Sequence, residues 1–209
     1  MLIAVFLFSL CSVVAGCKNP GADVTAASVE PAAEAKEAMP AGAEPGAGAL
    51  AINPSNSKIE FVGAKVTASH PGGFTDFSGA LELGDSIEES AIAVTIQTAS
   101  LYADKEKLTK HLKSPDFFDV EKYPTATFRS TEIKKEGDGY VIRGDLALHG
   151  VTRQISFPAT VSATETQISA NAEFSINRQD FGIAYPGMPD DLIRDLVVIK
   201  LSLEVSRKG

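Results

Sequence analysis

Between residues 57 and 205 apolar and polar side chains alternate with a period of two, the spacing of strands buried on one face. Eight segments carry the alternation: 57–66, 74–83, 90–97, 125–133, 139–149, 151–163, 166–176 and 195–205. Turn residues divide them, notably Pro71-Gly72-Gly73, Glu136-Gly137-Asp138-Gly139 and Pro186-Gly187. Helical spacing is confined to 104–113, where Leu101, Leu108 and Leu112 recur at helical intervals before Pro115 ends the run. Eight antiparallel strands with one apolar face must stack as a sandwich or close as a barrel, and closure removes the exposed edges. The pattern therefore predicts an all-β fold, an eight-stranded antiparallel barrel with one short helix.

The inward stripes add a second expectation. Ile168, Ala170, Ala172, Phe174 and Ile176 form one stripe, and Tyr140, Ile142, Gly144, Leu146 and Leu148 another, each with its small residues near the middle. Small side chains at mid-strand leave room for a slender ligand, since a barrel of this size either fills with its own side chains or holds one small guest. The alternative is that Gly63, Gly79 and Gly144 only permit the bends a barrel needs.

Ahead of the strands the composition changes twice. Residues 2–14 are nearly all apolar, shorter than the roughly 17–25 needed to span a bilayer but suited to a signal-peptide core. The run ends in Val14-Ala15-Gly16-Cys17, which resembles a bacterial lipobox, although no Lys or Arg precedes it. That resemblance implies a lipoprotein signal peptide over 1–16 and a mature N-terminus at an acylated Cys17, the lipid anchor. Lys18 after it favours outer-membrane delivery where a host has two membranes. Residues 18–49 hold eleven Ala, four Pro and four Gly and almost no large apolar side chains, so 17–49 reads as an anchored linker. The domain is then 50–209, and a chain beginning near Leu50 is expected to keep the thermal midpoint of the longer one.

Charge and chemistry narrow the function. A net charge of −8 excludes the clustered basic surface that nucleic acid requires. Cys11 and Cys17 are the only cysteines, so no thiol in the domain can serve as a nucleophile or metal ligand. His70, His111 and His149 are too far apart in sequence for a local zinc motif. Ser55-Asn56-Ser57-Lys58 matches Ser-x-x-Lys only by chance, and no nucleophile elbow or phosphate loop occurs, so the chain reads as no enzyme and as needing no cofactor.

A family resemblance rests on longer motifs. His111-Leu112-Lys113-Ser114-Pro115-Asp116-Phe117-Phe118-Asp119-Val120 followed by Tyr123-Pro124-Thr125-Ala126-Thr127-Phe128 is one. Gly73-Phe74-Thr75-Asp76-Phe77-Ser78-Gly79, Gly144-Asp145-Leu146-Ala147-Leu148-His149-Gly150-Val151-Thr152 and Ile176-Asn177-Arg178-Gln179-Asp180-Phe181-Gly182-Ile183 are the others. Together they resemble the YceI-like family across residues 55–206. The resemblance implies a lipocalin-like barrel in the cell envelope, facing the periplasm where there is an outer membrane, whose apolar tunnel holds a polyisoprenoid such as a polyprenyl phosphate or quinone.

The inward alternates Phe61, Phe77, Leu81, Ile92, Val94, Phe128, Ile142, Leu146, Ile168, Ala170, Ala172 and Phe174 are then the candidate ligand-binding wall, with plain core packing as the alternative for each. His111, Arg129 and Arg178 are the candidate headgroup residues, although Arg178 reads more readily as a structural partner of Asp180 or another loop carboxylate, and His111 equally well as a residue that orients its loop through the backbone. Phe117 and Phe118 cannot both face inward from an extended strand, which leaves one to cap a corner. A non-catalytic interaction or structural lipoprotein with an empty barrel is the competing function, and a homodimer is a candidate assembly.

Overall fold

The computed structural model describes residues 19–32 and 48–207. The signal-peptide and lipobox expectations, Cys17 included, lie outside the described residues. Every predicted strand is present: β3 (Ser57–Ala64), β5 (Phe77–Glu82), β6 (Ala91–Gln97), β8 (Thr125–Glu136), β9 (Gly139–Leu148), β10 (Val151–Ala163), β11 (Gln167–Asn177) and β14 (Leu196–Ser206). The predicted helix is α1 (Glu106–Lys113). Glu106 in its first turn and Lys110, His111 and Lys113 in its last complement the helix dipole, and Glu106 pairs with Lys110 at 2.7 Å.

The eight-stranded closed barrel is not what forms. Six further strands appear among the described residues: β1 (Ser28–Pro31), β2 (Leu50–Ile52), β4 (Ser69–Phe74), β7 (Leu101–Ala103), and the two-residue pair β12 (Gly187–Met188) and β13 (Asp191–Leu192). Twelve strands make one curled antiparallel sheet in the order β2-β5-β6-β8-β9-β10-β11-β14-β3-β4-β7, with β1 on β10, and its ladder ends at β2 and β7. The chain breaks direction at Thr75-Asp76, so β4 and β5 lie on opposite arms of the curl instead of forming one strand. A register shift between Ser130 and Glu132 puts Phe128 and Ile133, which have opposite parity, on the same inner face.

The 17–49 linker is corrected over its described N-terminal part. β10 pairs with β11 only over Thr160–Ala163, opposite Asn171–Ile168. Where the two strands splay, residues 25–31 fill the seam: Ser28–Pro31 pairs antiparallel with Ser156–Arg153, and Ala26 bridges Ser175 in parallel. Ala27 N–H donates to the Ser175 carbonyl at 2.8 Å, and Ser175 N–H to the Thr25 carbonyl at 3.0 Å. Ala27 and Val29 pack on the cluster that contains Ile155, Phe157, Phe174 and Phe181. Gly21 is held so close to Leu196 that a Cβ there would lie 2.5 Å from the Leu196 Cβ. Composition hid this because a strand wedged between two others needs backbone groups and one or two apolar side chains, not a hydrophobic run. A chain beginning at Leu50 is accordingly expected to melt several degrees below the longer one, since a loss of about 1–2 kcal/mol lowers the midpoint of a domain this size by about 2–8 °C. Circular-dichroism melts of the two chains check this, and equal midpoints would contradict the wedged strand.

Candidate functional site

The curled sheet encloses a cavity of about 1000 Å³. Nine of the twelve wall candidates border it: Phe61 on β3, Ile92 and Val94 on β6, Phe128 on β8, Ile142 and Leu146 on β9, and Ala170, Ala172 and Phe174 on β11. The remaining three do not. Phe77, Leu81 and Ile168 are 3%, 5% and 1% exposed and pack with Ile52 and Val205 into a solid floor beneath the cavity. Alternation tells which face a residue looks from, but not at what height it sits, so wall and floor read alike in the sequence.

The small inward residues have two roles. A Cβ on Gly144 would lie 2.4 Å from the Arg129 carbonyl and 2.5 Å from the Phe128 ring, so that glycine admits Phe128 and opens no space. Gly79 is similarly occupied by Ala93 and Val94, whereas a Cβ on Gly63 would meet nothing within 4 Å and the residue borders the cavity. Ala170 and Ala172 also border it. Small side chains at these three positions leave the wall recessed beside the cavity.

Opposite the floor is a polar mouth. Phe117 and Phe118 both reach the cavity because they lie in turns after α1, not in a strand. Phe118 meets Phe74 edge-on at 5.9 Å, and Phe117 meets His111 at 5.0 Å and Tyr185 at 5.3 Å. His111 also contacts Tyr185 at 5.2 Å, and its Nε2 lies 2.8 Å from Asp116 Oδ2, which holds the imidazole at the rim. Tyr185, Phe157, Ile199 and Leu201 border the cavity without having been singled out. The alternation of β14 contained the signal for the last two.

The two arginines separate cleanly. Arg129 points outward and is exposed. Arg178 borders the cavity but is only 5% exposed, in a single 3-10 turn (Arg178–Phe181) after β11. Its guanidinium donates to the carbonyls of Ile183 (2.6 Å), Arg194 (3.1 Å) and Ile193 (3.4 Å) and to Asp195 Oδ1 (3.0 Å). Burial pulls its pKa below the ordinary arginine value and Asp195 opposes the shift. The carboxylate partner is Asp195, not the sequence neighbour Asp180. Arg178 thereby rivets the loop that carries β12 and β13.

That hairpin closes one side of the mouth. Lys65 reaches Asp191, Thr67 Oγ1 donates to Asp191 Oδ1 at 2.9 Å, and Arg194 N–H donates to the Ala64 carbonyl at 2.8 Å. The hydrogen bond from Lys65, followed by those from Thr67, outweighs desolvation and holds the Asp191 carboxyl below its ordinary pKa. The tie is fully present above the usual aspartate range and lost only as pH falls through the depressed value. Among the described residues no cluster of three or more His, Cys, Asp or Glu could hold a metal ion.

Known proteins are similar to this chain in sequence and in fold. A UPF0312 protein of Pseudomonas putida is 40% identical over 124 residues, covering 56% of this chain and 65% of its own length. One from Photorhabdus laumondii is 41% identical over 125 residues, covering 52% and 65%. The chain thus spans about 65% of the length of these curated relatives. The crystal structure of BcnA from Burkholderia cenocepacia superposes with a TM-score of 0.65 at 24% identity, over 73% of this chain and 98% of that one. A polyisoprenoid binding domain from Saccharophagus degradans, implicated in plant cell wall breakdown, gives 0.61 at 17% identity, over 76% and 98%. At those identities the structures establish the fold alone. The YceI-like domain matches residues 50–205, well over half of the chain, and so the protein whose curled sheet builds this apolar cavity belongs to the YceI-like family.

Proposed function

We propose that this protein binds a polyisoprenoid lipid, with the chain in the cavity and the polar end at the mouth beside His111 and Tyr185. The observation that carries the reading is the shape of the site. It is a cavity of about 1000 Å³, at the top of the roughly 300–1,000 Å³ range of small-molecule pockets, with an aliphatic and aromatic wall, a packed floor and a polar rim at one end. A ligand matching it is long, apolar and polar at one terminus. Each buried CH₂-sized group contributes about 0.8 kcal/mol, so a few five-carbon isoprene units outweigh the cost of straightening the chain. The shared fold with a polyisoprenoid binding domain supports this choice among lipids.

The reading extends to the cell envelope. Acylation at Cys17 would hold the domain at a membrane surface, because two or more acyl chains anchor stably where one is marginal. One preparation tests both parts. Protein purified from bacterial membranes is expected to carry a non-covalent isoprenoid in native mass spectrometry and, after denaturation, an acyl mass on a peptide beginning at Cys17. An empty cavity would favour a lipoprotein that acts through its surface, and an unmodified Cys17 would remove the anchor.

A further inference from the structure

The described residues expose four large apolar side chains, and three lie on the two segments beside the cavity mouth: Val66 (40%) and Leu192 (49%), whose backbones are hydrogen-bonded, and Met188 (62%), which the hairpin register turns to the other face, toward the cavity. They occupy the turn between β3 and β4 and the β12–β13 hairpin. These are one structure, since Val66 N–H donates to the Leu192 carbonyl at 3.0 Å, Lys65 bridges Ile193, and Asp191 accepts from Lys65 and Thr67. Hairpin tips in water are ordinarily built from polar and turn-forming residues. Large apolar side chains clustered on a braced edge indicate a surface that is covered in use.

Charge indicates what covers it. Among the residues bordering this end of the cavity are Lys65, Lys105, Lys107, Lys110, Arg178 and Arg194, against Asp191, with Asp104, Glu106 and Asp116 paired beside them and Asp190 exposed at the hairpin tip, in a chain of net charge −8. Lys65 is paired with Asp191, Lys110 with Glu106 and Arg178 with Asp195. Lys105, Lys107 and Arg194 form no ion pair among the described residues. α1 brings its lysines to the same rim, because His111 packs against Tyr185, three residues before Met188.

We propose that this edge docks on an anionic bilayer surface, with Val66 and Leu192 entering the boundary between headgroups and acyl chains, Met188 at the rim between that boundary and the cavity, and Lys105, Lys107 and Arg194 meeting lipid phosphates. The mouth then opens onto the membrane, and a long apolar chain passes between bilayer and cavity without crossing water. The surface belongs to the domain itself and needs no anchor. The purpose assigned to it rests on the lipid-binding reading above.

The test uses the full chain carrying Cys17→Ser, so that no acyl anchor forms, with phosphatidylglycerol–phosphatidylcholine vesicles. The readout is hydrogen exchange at residues 64–68 and 186–194, which reports on this edge and not on vesicle binding elsewhere in the chain. Exchange there is expected to slow at least about fivefold with anionic vesicles and less with phosphatidylcholine alone. Val66→Asp combined with Leu192→Asp, positions outside the cavity wall, should abolish the slowing. Lys105→Glu with Lys107→Glu should remove the preference for anionic lipid. Unchanged exchange on adding vesicles would overturn the proposal, as would equal slowing in the Asp variant. Slowing that follows protein concentration without vesicles would also overturn it and assign the edge to a second copy of the chain. Isoprenoid content measured on the same samples keeps the readings apart: an empty cavity beside a protected edge leaves docking standing and removes carriage.

Discussion

Replacing Arg178 with methionine is expected to lower the thermal midpoint by about 10 °C. The guanidinium is 5% exposed and holds three carbonyls and Asp195 at once, in the fork geometry that only arginine provides. Removing it strands the three carbonyls, at about 1–3 kcal/mol for each buried acceptor left unsatisfied, while Asp195, about half exposed, turns to water. In a domain this size each kcal/mol is worth about 2–4 °C. Arg178→Lys should fall between, because one ammonium keeps the charge but cannot reach carbonyls on both sides. Arg129→Met serves as the control, since its side chain is exposed, and should stay within about 0.5 kcal/mol of wild type. Circular-dichroism melts of the three proteins decide the matter. A midpoint for Arg178→Met within a degree or two of wild type would show that the loop holds without it and return Arg178 to the headgroup candidates.

The sequence made the large elements legible because period-two alternation is a direct record of burial on one face. All eight long strands and α1 could be read that way. The elements that reshape the barrel into a longer open curl could not. β4 reads Ser-His-Pro-Gly-Gly-Phe, with breakers at the positions where alternation would show, and β2 and β7 have three residues each. β1 lies in a stretch whose composition describes a linker, yet its backbone completes the seam between β10 and β11.

The site was legible to a similar depth. Nine residues of the inward stripes border the cavity, while Phe77, Leu81 and Ile168 share that face but pack in the floor. The Phe117-Phe118 pair resisted reading because a turn lets adjacent side chains point the same way. Pro186-Gly187 read only as a turn, so the hairpin that follows, with its exposed Met188 and Leu192, gave no sign that it builds the mouth.

Ala172→Phe is expected to empty the cavity of lipid while leaving the fold intact. Ala172 lies on the inner face of β11 between Ala170 and Phe174, opposite Leu201 of β14, and borders the cavity. A phenyl ring there takes the space a lipid chain would use and adds apolar contacts with the wall. In a packed core the same substitution would force neighbours off their rotamers and cost about 1–3 kcal/mol. Lipid content and stability thus move oppositely in the two cases, which no substitution in the floor or at the rim achieves. The decisive measurement is mass spectrometry of lipid extracted from wild type and Ala172→Phe purified side by side, with a thermal melt of each. The account predicts an isoprenoid in the wild type, its near-complete loss in the variant and a midpoint that is unchanged or higher. Equal lipid in both proteins, or a destabilised variant beside a wild type that carries none, would contradict a polyisoprenoid held in this cavity.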